Sequence, residues 1–417
     1  MNAAPRVAFF TDSLHEKNGV ANFSRQFIQF TQQNQLPVLC LSGNTHTAWD
    51  RKGSLTALTL QRSRVGFRLG DDLRLDFLLW RHWQDVRKAV QDFAPDLIHI
   101  TGAGDIGQLG ALMAHRLKIP LDASWHTNVH QYAAHRLRGA THLLPLARQK
   151  KIEQKNLSWL MRFYKSARVL LAPNEELQQE LQTLSGKPVY LMRGGVDTKT
   201  FSPVHRLRMD GRFKIGYVGK LCPGKNVRVL AQLEQGLRNA GIQNYQFVIV
   251  GFGSEQPYLS QNMQKVMFTG NLSGQSLSRA YSNLDLFIFP SLIDAFGDVV
   301  LEALAAGVPA LVMQQGGPKF LLEDGGSGLI AKDENELLPL LLQHLRLMKN
   351  EEVKRQWSAA ARERALTFSW SEVFRQVYHA YECSLSAQEI LSLEQHAQER
   401  LKSQNFSTVP AFKADGD

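Results

Sequence analysis

The stretch Leu286-Phe287-Ile288-Phe289-Pro290-Ser291-Leu292-Ile293-Asp294-Ala295-Phe296-Gly297-Asp298-Val299-Val300-Leu301-Glu302-Ala303-Leu304-Ala305-Ala306-Gly307-Val308-Pro309-Ala310-Leu311-Val312-Met313 contains one complete unit of the fold. A short apolar run, Leu286–Phe289, leads through a loop to helical spacing over Val299–Ala306 and then to a second apolar run, Ala310–Met313. Apolar runs this short, bounded by Pro and Gly, read as buried strands, and strand–helix–strand order makes the strands parallel. Working outward, the runs Lys214–Val218, Phe247–Val250, Val266–Phe268 and Leu329–Ala331 repeat the pattern around this unit. Upstream lie Val7–Phe10, Pro37–Leu41, Leu97–Ile100, Leu121–Trp125, Val169–Ala172 and Val189–Met192, again separated by helical segments such as Val20–Thr31. The fold class is α/β, built from parallel sheets covered on both faces.

Between the two sets, Asp197–Arg212 is polar and basic, contains Pro203 and has few large apolar residues. It reads as a linker, so we expect two facing Rossmann-like domains, over 1–197 and 198–368. A helix over 369–385, carrying Trp370, Val373, Phe374, Val377, Tyr378 and Tyr381 at helical spacing, is expected to cross back to the first domain. The polar tail, 386–417, is expected to be partly disordered. With 44% hydrophobic and 21% charged residues the chain is globular rather than disordered. The most apolar long stretch, Val299–Met313, holds Glu302, Gly307 and Pro309 and does not suit a bilayer. Met1–Phe10 turns polar at Thr11 and Asp12, too soon for a signal peptide, and reads as a first strand. Three isolated cysteines, Cys40, Cys222 and Cys383, support neither a disulfide framework nor a zinc site and fit a reducing cytoplasm.

In such a fold, ligands bind at the carboxyl ends of the strands, so the chemistry is sought in the loops that follow them. After the strand ending at Val218 comes Gly219-Lys220-Leu221-Cys222-Pro223-Gly224-Lys225-Asn226. Glycine allows close backbone approach, and the two lysines suit a diphosphate, although solvated lysines on a turn are the plainer reading. Gly251-Phe252-Gly253-Ser254 is a second glycine turn, and Asn271-Leu272 closes a short strand where backbone can pair with the edge of a base. Phe296-Gly297 opens the helix whose amides face the crevice, with Asp294 before it and Glu302 inside it. A carboxylate in so apolar a helix needs a partner, either polyol hydroxyls or a buried Lys or Arg. In the first half, Asp12–Val20 contains Asn18-Gly19-Val20 at the start of a helix, and Ser124-Trp125-His126-Thr127 ends a strand. His99 and His130 read as packing or surface residues.

Asp294–Pro309, together with Gly219–Lys225, resembles family 4 of the retaining glycosyltransferases of the GT-B fold. That family carries a Glu-x7-Glu motif whose second Glu lies in Leu-Glu-Ala-x-Ala-x-Gly-x-Pro, and an upstream Gly-Arg-x4-Lys. The likeness extends to Gly316-Gly317-Pro318, Gly325–Leu329 and Arg193-Gly194-Gly195-Val196-Asp197, covering most of residues 5–382. It implies that Lys220 and Lys225 hold the donor's diphosphate, Glu302 the ribose, and Asp294 with the Phe296-Gly297 amides the transferred sugar. Gly19, Gly219, Asn271 and Leu272 would also border the donor, with His126 against the sugar. Two positions depart: Asp294 stands where the family has Glu, and Lys220 where it has Arg, which keeps the charge but loses the bidentate fork. The implied donor is a UDP- or GDP-linked hexose of mannose or glucose type, moved without a metal, since no Asp-x-Asp occurs outside the tail. No other cofactor is implied.

The net charge is +10, and basic residues crowd the first half in two groups: Arg62, Arg64, Arg68, Arg74 and Arg81, then Arg136, Arg138, Arg148, Lys150, Lys151 and Lys155. The second interleaves with Leu143, Leu144, Trp159, Leu160 and Phe163, as docking on an anionic membrane requires, although a solvated basic face gives the same pattern. A lipid or glycan acceptor and a cytoplasmic protein resting on the membrane's inner face are therefore expected. No nucleic-acid-binding module is recognised. A nucleotide-sugar epimerase on this scaffold, or a nucleotide-sugar-binding relative without transferase activity, are the alternatives.

Overall fold

The computed structural model describes residues 4–16, 18–63, 67–69, 73–126, 158, 160–207 and 211–386. Two large sheets dominate, each nucleated by short runs buried along their whole length, such as Val7–Phe10, Leu97–Ile100, Val169–Ala172, Leu286–Phe289 and Ala310–Met313. The strands of the first half are β1 (Val7–Phe10), β2 (Val38–Asn44), β3 (Ala48–Lys52), β4 (Leu55–Gln61), the small hairpin β5 (Phe67–Leu69) and β6 (Leu73–Leu75), β7 (Leu97–Ile100), β8 (Leu121–Ser124), β9 (Val169–Ala172) and β10 (Val189–Leu191). Those of the second are β11 (Phe213–Val218), β12 (Tyr245–Val250), β13 (Val266–Gly270), β14 (Leu286–Phe289), β15 (Ala310–Met313) and β16 (Gly328–Ala331).

The first sheet runs β10-β9-β8-β7-β1-β2-β4-β3 and is parallel except for β3, which pairs antiparallel with β4. The second runs β13-β12-β11-β14-β15-β16, all parallel. In each, one strand has neighbours reached by connections leaving in opposite directions along the sheet: β1 lies between β2 and β7, and β11 between β12 and β14. A crevice opens at such a switch point, outside the carboxyl ends of the strands.

Simple alternation of strand and helix fails over β2–β6, where five strands follow one another with no helix between them among the described residues. Strand β2 is joined to its parallel neighbour β4 not by a helix but through β3, turning at Gly53 with φ of +58°. The other parallel strands fall within about two residues of the apolar runs. Residues 370–386 form a helix that packs on the first half. Phe374, Val377 and Tyr381 join Val7, Phe9, Phe23 and Phe27 in one apolar cluster. Rings Phe23–Phe374 and Phe27–Phe374 meet edge to face at 5.3 and 5.5 Å. Among the described residues no helix is long and apolar enough to cross a membrane.

Candidate active site

In the second half, Gly219 follows β11 with φ of +149°, and its amide donates to Val250 O at 3.0 Å. Gly251, after β12, has φ of +129°, and a Cβ there would lie 2.0 Å from Gly219 O. The two turns close on each other only because Gly251 lacks a side chain, while a Cβ on Gly219 would lie 2.9 Å from the Tyr217 hydroxyl. Lys220 is exposed on this turn, and its carbonyl accepts from the Tyr217 hydroxyl at 3.0 Å. Lys225 ends the short helix Pro223–Lys225 and reaches across to the loop after β14, where its Nζ lies 2.5 Å from Asp294 Oδ1. The sequence treats these two residues as separate contacts; the fold makes them an ion pair, with each side chain less than one-fifth exposed.

Gly297 takes φ of +100° and caps the helix Asp298–Ala305. Only glycine adopts that geometry without strain while bringing the helix start so close to Pro318. Within the helix, Glu302 has neither a Lys nor an Arg partner among the described contacts. Instead the Tyr281 hydroxyl donates to its Oε2 at 2.9 Å. Burial raises the Glu302 carboxyl to about 8, and the Asp298 carboxylate adds to the shift against the Tyr281 hydrogen bond. Phe296 is half-buried beside Phe368. Asn271 is exposed and Leu272 half-buried, both just past the end of the edge strand β13.

The first half contributes from the loops after β1, β7 and β8. The Asn18 side chain caps the helix Gly19–Gln33 by accepting from Ala21 N at 2.8 Å, which exposes Gly19 at the crevice. Asp12 takes amide hydrogens from Gly104, Ile106 and Gly107 at 3.1, 2.9 and 3.3 Å. Burial and the neighbouring Asp105 carboxylate raise it well above the usual carboxylate range in spite of Arg62. Arg62 is not part of a basic surface: it is buried and bonded to Asp105 at 3.0 Å, because a carboxylate this deep needs a counter-charge. His126, just after β8, packs edge to face against Phe23 at 4.7 Å, and its Nε2 lies 2.8 Å from Ser124 Oγ. Burial lowers it to about 3, so the ring is neutral.

The halves meet around one helix turn. A Cβ built on Gly19 would lie 3.2 Å from Asp298 Oδ2, the Asn22 side chain hydrogen-bonds Asp298, and Phe23 touches His126. Asn174 Nδ2 also donates to Ala295 O at 2.6 Å. The first turns of Gly19–Gln33 thus place His126 and the Asp294–Asp298 loop side by side. Asp298 was missed as a site residue, although its place four residues after Asp294 in the same loop-to-helix segment was the available signal. Burial and the nearby Asp294 raise it to about 6. His99, read as a packing or surface residue, is fully buried and hydrogen-bonded to Ser124 Oγ at 2.9 Å. His130, Arg64, Arg136, Arg138, Arg148, Lys150, Lys151 and Lys155 lie outside the described residues, as do the side chains of Arg68 and Arg74.

Residues 199–364 match the family described as Glycosyl transferases group 1, and residues 18–200 match Glycosyltransferase Family 4. A GDP-mannose-dependent alpha-mannosyltransferase of Corynebacterium glutamicum is 30% identical over 346 residues, which is 80% of this chain and 79% of that one. Its counterpart in Mycobacterium tuberculosis is 27% identical, over 90% of this chain and 96% of that one. Among solved structures, sucrose-phosphate synthase from Thermosynechococcus elongatus superposes with a TM-score of 0.71 at 18% identity, covering 92% of this chain and all of that one. Anabaena HepE, solved with UDP and glucose, has a TM-score of 0.62 at 16% identity, covering 91% of this chain and 99% of that one. With two facing parallel sheets, loops gathered at both switch points and these matches along both halves, the chain belongs to the glycosyltransferases of family 4 and group 1.

Proposed function

We propose that the chain is a retaining hexosyltransferase that takes mannose from GDP-mannose and passes it to a hydroxyl of a lipid-linked or glycan acceptor. The observation that carries this reading is the Lys225–Asp294 pair set beside the Gly19–Asp298 contact. A cation suited to a diphosphate and carboxylates suited to sugar hydroxyls stand together where the halves meet. The donor preference follows the relatives named as GDP-mannose-dependent; UDP-glucose is the next candidate. In this reading residues 1–197 serve the acceptor side and 198–368 the donor, with 369–385 as the crossover helix.

The roles follow from charge. Breaking the bond between C1 of the hexose and the phosphate oxygen leaves positive charge on the sugar and negative charge on the diphosphate. Lys220, Lys225 and the amides at Gly219 meet that negative charge, with no metal assigned. Asp294 holds Lys225 in place before the donor arrives and turns to the sugar hydroxyls when the diphosphate claims the ammonium. Glu302 accepts from the ribose hydroxyls, Asn271 and Leu272 border the base, and Phe296-Gly297, Gly19 and neutral His126 border the sugar. The acceptor oxygen forms its bond to C1 on the face the diphosphate leaves, and its proton passes to a leaving phosphate oxygen. That same-face displacement needs no nucleophile from the protein, and isolation of a glycosylated enzyme would overturn it. Docking on an anionic membrane through Arg136, Arg138, Arg148, Lys150 and Lys151 completes the reading; reversing the last three charges should abolish binding to phosphatidylglycerol vesicles.

Thermal stabilisation by GDP, UDP, ADP and their hexose derivatives tests the site. GDP-mannose should raise the melting temperature, and Lys225→Ala and Glu302→Ala should each remove most of the shift. With turnover measured, Lys225→Ala should lower kcat/KM by about 10²–10³-fold, the usual cost of removing one group that stabilises a developing anion. A panel without any shift, together with no donor hydrolysis, would mean a relative that binds and transfers nothing.

A further inference from the structure

A line of polar contacts runs from the C-terminal helix, through the interior of the first sheet, to His126. The Tyr381 hydroxyl meets His99 Nδ1 in a short hydrogen bond. His99 Nε2 lies 2.9 Å from Ser124 Oγ, which lies 2.8 Å from His126 Nε2. Tyr381, His99 and Ser124 are fully buried, so water does not compete for these bonds. The helix is also tied to the neighbouring strand β8, where Ser384 Oγ donates to Asp122 Oδ1 at 2.7 Å.

Counting protons gives the line a direction. Among the described residues, His99 Nδ1 is the partner of the Tyr381 hydroxyl. If that hydroxyl accepted, its own proton would be buried with no other acceptor among the described residues, so it donates. A neutral imidazole that accepts at Nδ1 carries its hydrogen at Nε2. His99 therefore donates to Ser124 Oγ. The serine has one hydrogen to give, and His126 Nε2 at 2.8 Å is a far better acceptor than Ile100 O at 3.5 Å. His126 then accepts at Nε2 and holds its own hydrogen on Nδ1.

We infer that Tyr381, His99 and Ser124 are positioning residues, a one-directional hydrogen-bond relay by which the C-terminal helix fixes the tautomer and ring orientation of His126 and leaves its Nδ1–H to face the bound sugar. The relay rests on the reading of His126 as a sugar-side residue. It requires both rings to be neutral, and burial holds both well below neutral pH, at about 3. It also gives the crossover helix a chemical function beyond packing: the ring orientation at the crevice depends on a hydroxyl 255 residues further along the chain (381 − 126).

The test uses the full-length protein labelled with 15N-histidine. Two-bond proton–nitrogen spectra, assigned with His99→Gln and His126→Gln, distinguish Nδ1–H from Nε2–H rings. The unmutated protein should show His126 as Nδ1–H and His99 as Nε2–H. Tyr381→Phe should release both patterns and lower kcat about tenfold with donor KM almost unchanged, because the lost group orients rather than binds. His99→Gln, whose amide both accepts and donates, should keep most of the activity, whereas His99→Leu, assayed well below its lowered melting temperature, should lose kcat at least as far as Tyr381→Phe. An Nε2–H ring at His126 in the unmutated protein, or an unaltered His126 pattern in Tyr381→Phe, overturns the relay. Should His126→Gln retain full kcat while the spectra behave as stated, the sugar-side reading fails and the relay stands.

Discussion

Glu302 shows how one residue's surroundings decide its chemistry. Enclosed in the helix Asp298–Ala305 and bonded to Tyr281, it favours its neutral form up to about pH 8. Because its folded value is raised, its contribution to stability is complete below the ordinary carboxylate range of about 4.5. That contribution is lost as pH rises from there through about 8. Donor binding should run the opposite way. Ribose hydroxyls donate hydrogen bonds, so they select the ionised carboxylate and expel its proton. The dissociation constant for GDP should therefore fall as pH rises from 6 to 8, by at most about tenfold per unit, and level off above. Calorimetry in two buffers of different ionisation enthalpy should show proton release at pH 7, absent in Glu302→Gln. Weaker binding at higher pH, or proton uptake, would remove Glu302 from the ribose.

At the scale of elements, the helix over 370–386 is held by aromatic packing rather than by charge. Phe374 is fully buried and touches the rings of Phe23, Phe27 and Phe30. Emptying that space in Phe374→Ala should destabilise the protein by about 3–5 kcal/mol, as cavities left by large aromatic residues do. Urea titration should show a lower midpoint at unchanged slope; a loss below about 1 kcal/mol would mean that the helix detaches without consequence. This helix was legible because Trp370, Val373, Phe374, Val377, Tyr378 and Tyr381 repeat at helical spacing. Most strands were legible for the same kind of reason, an apolar run buried on both faces. Strands β3 and β4 were not. Ala48–Lys52 is largely exposed and polar at the sheet's edge, and Leu55–Gln61 alternates leucine with threonine and alanine instead of forming a run. In the site, Lys225, Asp294 and Glu302 stood out by type and spacing. Their actual partners did not, since Lys225 meets Asp294 across 69 positions and His99 meets Tyr381 across 282. Such pairings are made by tertiary contact and leave no local mark.

The whole molecule brings two separately built sheets together at their switch points. Lys319 and Glu176 form a bridge at 2.9 Å, but the glutamate is mostly exposed, so the pair contributes about 0–1 kcal/mol. Closer fitting comes from the segment joining the halves. A Cβ on Gly194 would lie 2.3 Å from Phe296 Cε1 and 3.0 Å from Asp298 Oδ1. Only a bare backbone lets this segment lie against the loop that carries Asp294. Gly194 is not among the glycines at positive φ, so a larger residue there is a steric change and not a backbone strain. Gly194→Val should therefore overpack this contact and cost about 1–3 kcal/mol, with the sheets of both halves still folded. Its effect should fall on the joint: the Phe296–Asp298 loop is pushed from the first half, separating groups that the proposed function sets around one sugar. A displacement of about 1 Å in such an arrangement lowers rates by about 10²-fold. Steady-state turnover with small-angle scattering checks this, since the parent should contract when GDP-mannose binds and the variant should contract less. Full activity in a variant that still contracts would show that the two halves meet elsewhere during catalysis.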